Sequence, residues 1–323
     1  MAGQAAQTAV RRDRSRRLLV GLFWGAILLA AISLLATGEG SRILQTLAGA
    51  QLSLIGPLLL IGLLLPVIHA RRWQLMLRAI SQELPLTAAI ELTVTSSLIN
   101  YAVPGYVGSP AKGLLARQTY GIGLGRSVPT LAVEQALDAL ALVIGAAVGL
   151  ILAGPSSLSW LASYFDRSLA VIIVLLVVIG LTTVFLAGYL LRRRARHFIE
   201  ALIISSRMLA NNRQHRTAIL LLTGARWVAD SATIWVAAAA LGVHLGTTAL
   251  LLLTNIPLLL GLVSPFPGGV GLREGAMAAI AGMINLTITG IVAAAVLHRA
   301  VMVAALPVLL GIIRVVRWSA SWR

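Results

Sequence analysis

Apolar runs about as long as a bilayer is thick constrain this chain more than any other feature of it. They occupy residues 18–36, 52–69, 128–152, 169–191, 218–241 and 288–312. An α-helix needs roughly 20 residues to cross a hydrocarbon core about 30 Å thick, so each run reads as a crossing. Backbone inside lipid must satisfy its own hydrogen bonds, which a helix does within one segment. Hydrophobic residues make up 59% and charged residues 11% of the chain, a ratio that excludes a soluble globule. An all-α polytopic membrane protein follows, a single integral membrane domain over residues 1–323 with no room for a separate soluble catalytic domain.

Two further hydrophobic regions, 86–120 and 248–284, are interrupted. The first breaks at Pro104-Gly105-Tyr106-Val107-Gly108 and the second at Pro267-Gly268-Gly269-Val270-Gly271, and a shorter helical stretch follows each break. Proline lacks the donor a helix interior needs and glycine admits tight turns, so Pro104, Gly105, Gly108, Pro267, Gly268, Gly269 and Gly271 are read as shaping a cavity. The pattern predicts six full transmembrane helices plus two re-entrant helical hairpins. Each half reads crossing, crossing, broken hairpin, crossing, with repeats at 18–152 and 169–312 and a boundary near 153–168. Three crossings per half make the repeats inverted, an architecture of secondary transporters. The alternative is ordinary loops between full helix pairs, giving ten crossings.

Arginine sets the orientation, because Lys112 is the only lysine behind a formal net charge of +16. Arg11, Arg12, Arg14, Arg16 and Arg17 precede the first run, which lacks a small-residue cleavage site and reads as a retained helix. An N-terminus in the cytoplasm puts Arg71, Arg72 and Arg78 of the expected loop 70–85 inside. The same alternation puts the loop 37–51 outside, the arginine-rich loop 192–216 inside, and Arg314, Arg317 and Arg323 inside. Both termini are therefore expected in the cytoplasm, and ten crossings would leave that parity unchanged. These arginines read as topology signals and anionic-lipid contacts, not as nucleic-acid contacts.

Charges within the apolar runs are costly and so mark candidate function. Glu134 and Asp138 lie four apart on one helical face, with Lys112 and Arg117 on the return leg of the first hairpin as the nearest expected partners. Arg226 and Asp230 are also spaced by four and can pair within one helix. Arg273 and Glu274 follow the second glycine break, where Arg273 could hold a lipid phosphate bidentately while Glu274 answers a cation or fixes Arg273. Lys112, Arg117, Glu134, Asp138, Arg273 and Glu274 are thus candidate substrate-binding residues, and Arg226, Asp230 and His298 a candidate proton or charge relay. Each has a plainer structural role as its rival, a satisfied buried histidine or an ion pair that only holds helices together. Glu91 and Asn100, on the entering leg of the first hairpin, are expected to pair with its return leg. No zinc-protease, phosphate-loop or nucleophile-elbow motif occurs, and cysteine is absent, so no catalytic residue, metal or cofactor is expected.

Three segments together resemble the lysylphosphatidylglycerol synthase transmembrane-region family: the run from Asn100 to Arg117, Glu134-Gln135-Ala136-Leu137-Asp138, and Pro267-Gly268-Gly269-Val270-Gly271-Leu272-Arg273-Glu274-Gly275. That family includes the membrane flippase domain of the bacterial multiple peptide resistance factor and many stand-alone proteins. Where members often show Gly-Asp before a basic residue, this chain has Gly108-Ser109-Pro110-Ala111-Lys112, and where Glu-Arg is common it has Glu134-Gln135. The resemblance implies lipid translocation in a bacterial cytoplasmic (inner) membrane. The expected function is a flippase moving a phospholipid or an aminoacylated or polyprenyl lipid with a charged head group, as a monomer or an oligomer. The alternatives are a membrane-embedded glycosyl or acyl transferase acting on lipid-linked substrates, and a non-transporting partner of an envelope enzyme.

Overall fold

A computed structural model describes residues 38–103, 107–155, 203, 207, 213–264 and 266–320. The expected crossings at 18–36 and 169–191, the first arginine cluster, most of the loop 192–216, and Pro104, Gly105 and Tyr106 lie outside the described residues. Nine helices form the described fold: α1 (Gly38–Ala48), α2 (Leu52–Ala79), α3 (Leu86–Ala102), α4 (Gly108–Tyr120), α5 (Leu124–Ala153), α6 (Arg213–Ala240), α7 (Thr247–Val263), α8 (Leu272–Met283) and α9 (Ile288–Ala320). A 3₁₀ turn, Pro267–Gly269, joins α7 to α8.

Helices α2, α5 and α6, and α9 as far as Trp318, are long and apolar enough to cross a membrane. The 28 residues of α2 extend about 42 Å at 1.5 Å per residue, which exceeds the hydrocarbon thickness. Leu60, Leu64, Leu140, Ile144, Ile151, Leu221, Val308 and Ile312 are exposed large apolar side chains on these helices, as a lipid-facing surface requires. The 17-residue helices α3 and α7 reach only about 25 Å, and the 13-residue α4 and 12-residue α8 reach less. Each interrupted region is thus a pair of short helices around a break.

Two expectations change here. The outside loop 37–51 contains α1, an 11-residue helix that packs against α9. The inside loop 70–85 is mostly helix, because α2 continues through Ala79; Arg72, Trp73, Gln74 and Met76 point into the bundle and are buried.

The element lengths recur along the chain. Helices α2, α3, α4 and α5 have 28, 17, 13 and 30 residues, and α6, α7, α8 and α9 have 28, 17, 12 and 33. From α2 to α6 the start advances by 161 positions (213 − 52), and from α5 to α9 by 164 (288 − 124). Packing follows the same exchange: α2 lies on α3 and α5 as α6 lies on α7 and α9, while α3 lies on α9 as α7 lies on α5. Helices α2 and α6 lie against each other, antiparallel, with Leu58 beside Val236 and Ala237 at one end and Met76 beside Ile219 at the other.

Small residues allow the closest approaches, as in membrane helix pairs generally. A Cβ at Gly145 of α5 would fall 2.5 Å from Asn255 Oδ1 of α7, and one at Gly62 of α2 would fall 2.9 Å from Met302 of α9. One apolar cluster joins α2, α3 and α4 to the C-terminal part of α9 through Trp73, Leu77, Leu92 and Leu309. Another joins α6, α7, α8 and the N-terminal part of α9 through Ile234, Leu252, Met277 and Ile291. Between these clusters the interior is polar.

A candidate lipid head-group site

Helix α2 turns His69 and Arg72, one helical turn apart, toward α5, which presents Glu134 and Asp138 one turn apart in return. Arg72, 0% exposed, grips Asp138 with both terminal nitrogens, at 2.5 and 2.9 Å, and lies 3.4 Å from Glu134. Lys112 of α4 reaches the other Glu134 oxygen at 3.3 Å and sits 4.4 Å over the Trp73 ring. His69 Nε2 stands 3.1 Å from Glu134 Oε1 without the alignment of a hydrogen bond. Arg226 of α6 closes the network, donating to Asp138 and lying 3.6 Å from Asp230. Charges this deep in apolar surroundings persist only when paired, and each carboxylate here has at least one cation.

The expected pairing of Arg226 with Asp230 is therefore present, and Lys112 meets Glu134. Arg117 departs from expectation: it is exposed on the last turn of α4, away from both carboxylates. Its place is taken by Arg72, which the sequence reading assigned to a cytoplasmic loop. The reason is geometric, since Lys112 and Arg117 lie five residues apart and cannot share one helical face.

The two breaks are clamped by polar side chains. Asn100 of α3 accepts from the Gly108 backbone N–H at 3.3 Å, so it joins the entering and returning legs of its hairpin. Gln135 of α5 donates to Ser109 at 3.0 Å. At the second break Arg299 of α9 holds Glu274 at 2.6 Å and the Gly268 carbonyl at 3.1 Å. Glu274 also accepts from the Gly271 N–H at 2.8 Å, capping α8, so it serves Arg299 and the helix start and does not fix Arg273. Glu91 likewise departs from its expected partner, pairing with Arg317 of α9. His298 shares a hydrogen bond of 3.1 Å with Thr233.

Arg273 is held by shape. A Cβ on Gly269 would fall 2.9 Å from Arg273 Cδ, and one on Gly261 3.0 Å, so the aliphatic stem passes through a slot between two glycines. Gly269 also has φ +72, a conformation that favours glycine, as does Gly268 at φ +55, against which the Tyr101 ring packs. The Arg273 guanidinium emerges beside a cavity of two adjoining lobes, each of about 200 Å³. Both lobes are bounded by His69, Ser97, Tyr101, Arg226, Leu258 and Arg273. The first extends to Asn100, Ser109 and Lys112, and the second to Asp230, His298 and Met302. Among the described residues Arg273 has neither an ion pair nor a hydrogen bond. Around the cavity the cations Arg72, Lys112, Arg226, Arg273 and Arg299 exceed the carboxylates Glu134, Asp138, Asp230 and Glu274 by one. Both interrupted regions thus line a polar cavity at which Arg273, among the described residues, has no ion pair or hydrogen bond.

The family described as Lysylphosphatidylglycerol synthase TM region matches residues 18–311. This chain belongs to that family. Membership covers both interrupted regions and the whole charged network, and it ties the lysylphosphatidylglycerol synthase transmembrane-region fold seen here to membrane lipids. No curated protein matches the chain closely enough to add to this. Within the matched residues, the glycine-rich run ending in Arg273-Glu274-Gly275 builds the slot and the capped helix start at the cavity.

His69, Arg72, Ser97, Tyr101 and Arg299 were absent from the site expected from sequence. The spacing of His69 and Arg72 at the end of an apolar helix, with the run of apolar residues resuming after Arg71 and Arg72, was the available signal.

Proposed function

We propose that this protein is a lipid flippase, carrying the charged head group of a phospholipid, or of an aminoacylated or polyprenyl lipid, through the central cavity while the chains stay in the bilayer. The observation that carries this reading is Arg273, a guanidinium with no ion pair or hydrogen bond among the described residues, emerging from a glycine slot beside a cavity lined by both interrupted regions. A guanidinium with free donors matches phosphate geometry, and an interior cavity shields it from the hydrocarbon that would otherwise oppose its charge.

Alternating access needs two halves that can exchange roles. The matched helix lengths, the exchange-symmetric packing and the antiparallel pairing of α2 with α6 support an inverted repeat over 18–152 and 169–312, with two re-entrant hairpins among six crossings in one membrane domain. Orientation follows from charge. The C-terminal ends of α2, α4 and α9 and the N-terminal ends of α5 and α6 bring Arg78, Arg117, Arg126, Arg213, Arg216, Arg314 and Arg317 to one side, against Arg42 and His244 at the other. By the positive-inside rule that side is the cytoplasm, in keeping with the expectation of cytoplasmic termini in a bacterial inner membrane.

Reconstitution of the whole chain into liposomes with acyl-labelled fluorescent lipids tests the proposal. Leaflet exchange above empty vesicles is expected, reduced roughly tenfold by Arg273→Gln, the magnitude of one lost charged hydrogen bond. No acceleration across several head groups would overturn it.

A further inference from the structure

The second lobe of the cavity contains two opposite charges that do not meet. Arg273 enters from the start of α8 and Asp230 from the middle of α6, and no ion pair joins them among the described residues. Among the described residues one cation lies within ion-pair distance of Asp230, Arg226 with Nε at 3.6 Å on the same helix, and Arg226 directs a terminal nitrogen to Asp138. That leaves a 21% exposed carboxylate facing the lobe, held by a single long contact. Every other carboxylate at the site is more closely engaged: Glu134 lies 3.1 to 3.4 Å from three cationic or imidazole nitrogens, Asp138 is bound by two guanidiniums, and Glu274 by Arg299 and a helix N-terminus.

From this separation we infer that the lobe takes a compact zwitterionic head group, its phosphate on Arg273 and its ammonium on Asp230. The inference rests on the translocation reading above and narrows its substrate. Charge decides between ligand classes. A purely anionic head group on Arg273 leaves Asp230 facing a like charge in a poorly solvated space, and a purely cationic one leaves Arg273 unanswered. A molecule bearing both charges completes both sides at once. Size narrows it further: about 200 Å³ is below the roughly 300–1,000 Å³ of pockets that enclose drug-sized ligands. Phosphoethanolamine suits that space, whereas a sugar or an extended aminoacyl group would need the first lobe as well. Gly62, Leu65, Pro66, Met302 and Leu306 line the rest of the lobe and offer apolar contact to the glycerol end.

Binding of dihexanoyl phosphatidylethanolamine and dihexanoyl phosphatidylglycerol to the full chain in detergent, measured by calorimetry, tests the assignment beside transport of the matching acyl-labelled lipids in vesicles. The ethanolamine lipid is expected to bind about tenfold more tightly, the effect of one charged contact. Asp230→Asn is expected to erase that preference by weakening the ethanolamine lipid and strengthening the glycerol one. Equal binding by the unaltered protein, or a preference for the glycerol lipid, overturns the inference, and that comparison stands even if the variant fails to fold. Preference in binding without transport keeps the head-group assignment and removes the translocation reading. Transport without preference does the reverse.

Discussion

The two halves of the bundle place different chemistry at matching positions. An offset of 161 relates α2 to α6, setting His69 against Asp230 and Arg72 against Thr233; an offset of 164 relates α5 to α9, setting Glu134 against His298 and Gln135 against Arg299. Some roles are kept. Gln135 and Arg299 each reach back to the return of their own hairpin, one to Ser109 and the other to Glu274 and Gly268. Other roles diverge: the histidine and the acid trade places, and the Arg72–Glu134 contact becomes the uncharged Thr233–His298 bond. The first half therefore carries most of a continuous ion-pair network, which Arg226 joins from the second, while Arg273 and Asp230 of the second half line the open second lobe. A shared scaffold can thus hold one side together electrostatically and leave the other available to a ligand.

That contrast breaks most visibly at Asp138. Asp138→Asn removes the charge answering Arg72, which is 0% exposed, and part of what answers Arg226. A buried ion pair stripped of one partner costs about 3–5 kcal/mol, so unfolding in mixed micelles should shift by an amount of that order. Arg273→Gln should leave the same transition within about 0.5 kcal/mol, because no ion pair is lost. Equal destabilisation by the two substitutions would show that the halves do not divide the work in this way.

Gly261→Ala sharpens the comparison with a smaller effect. The added methyl would stand 3.0 Å from Arg273 Cδ, so the stem must give by a few tenths of an ångström and carries the guanidinium with it. Overpacking of this kind costs roughly 1–3 kcal/mol, and if the protein is the proposed flippase with Arg273 on the head group, the shift should lower lipid exchange several-fold. Pairing the substitution with Arg273→Gln separates the causes. If Gly261 acts through Arg273, the double variant exchanges lipid at the rate of Arg273→Gln alone.

Much of the fold was legible because lipid imposes lengths. Four apolar runs became long helices whose bounds extend the expected ones by up to about ten residues, and the second Pro-Gly cluster fell at a helix break, whereas Pro104 and Gly105 of the first lie outside the described residues. The amphipathic ends were not legible. Arg72 sits beside Arg71 and Arg78, and adjacent arginines at the end of an apolar run look alike until a facing helix sorts them; only the buried one meets Asp138. Partner choice was opaque for the same reason. Arg226 and Asp230 share one helix, whereas Arg72 with Asp138 and Glu274 with Arg299 depend on which helices pack together. The Arg273 slot was hidden because half of it, Gly261, belongs to a helix that the motif does not include.

The smallest effect belongs to the pair at the rim. Arg317 donates to Glu91 and lies 3.3 Å from the Tyr120 hydroxyl, linking α9 to α3 and α4. Its side chain is 47% exposed, so solvent screens the pair as it does most surface ion pairs, and Arg317→Ala should cost no more than about 1 kcal/mol. Added salt should reduce even that difference, since exposed charges are screened over about 8–10 Å at ordinary ionic strength. The Asp138→Asn effect should respond less to salt, because Arg72, its doubly bonded partner, is closed off from water. Comparing the two variants at low and high salt thus distinguishes a network that holds the first half shut from one that only decorates it.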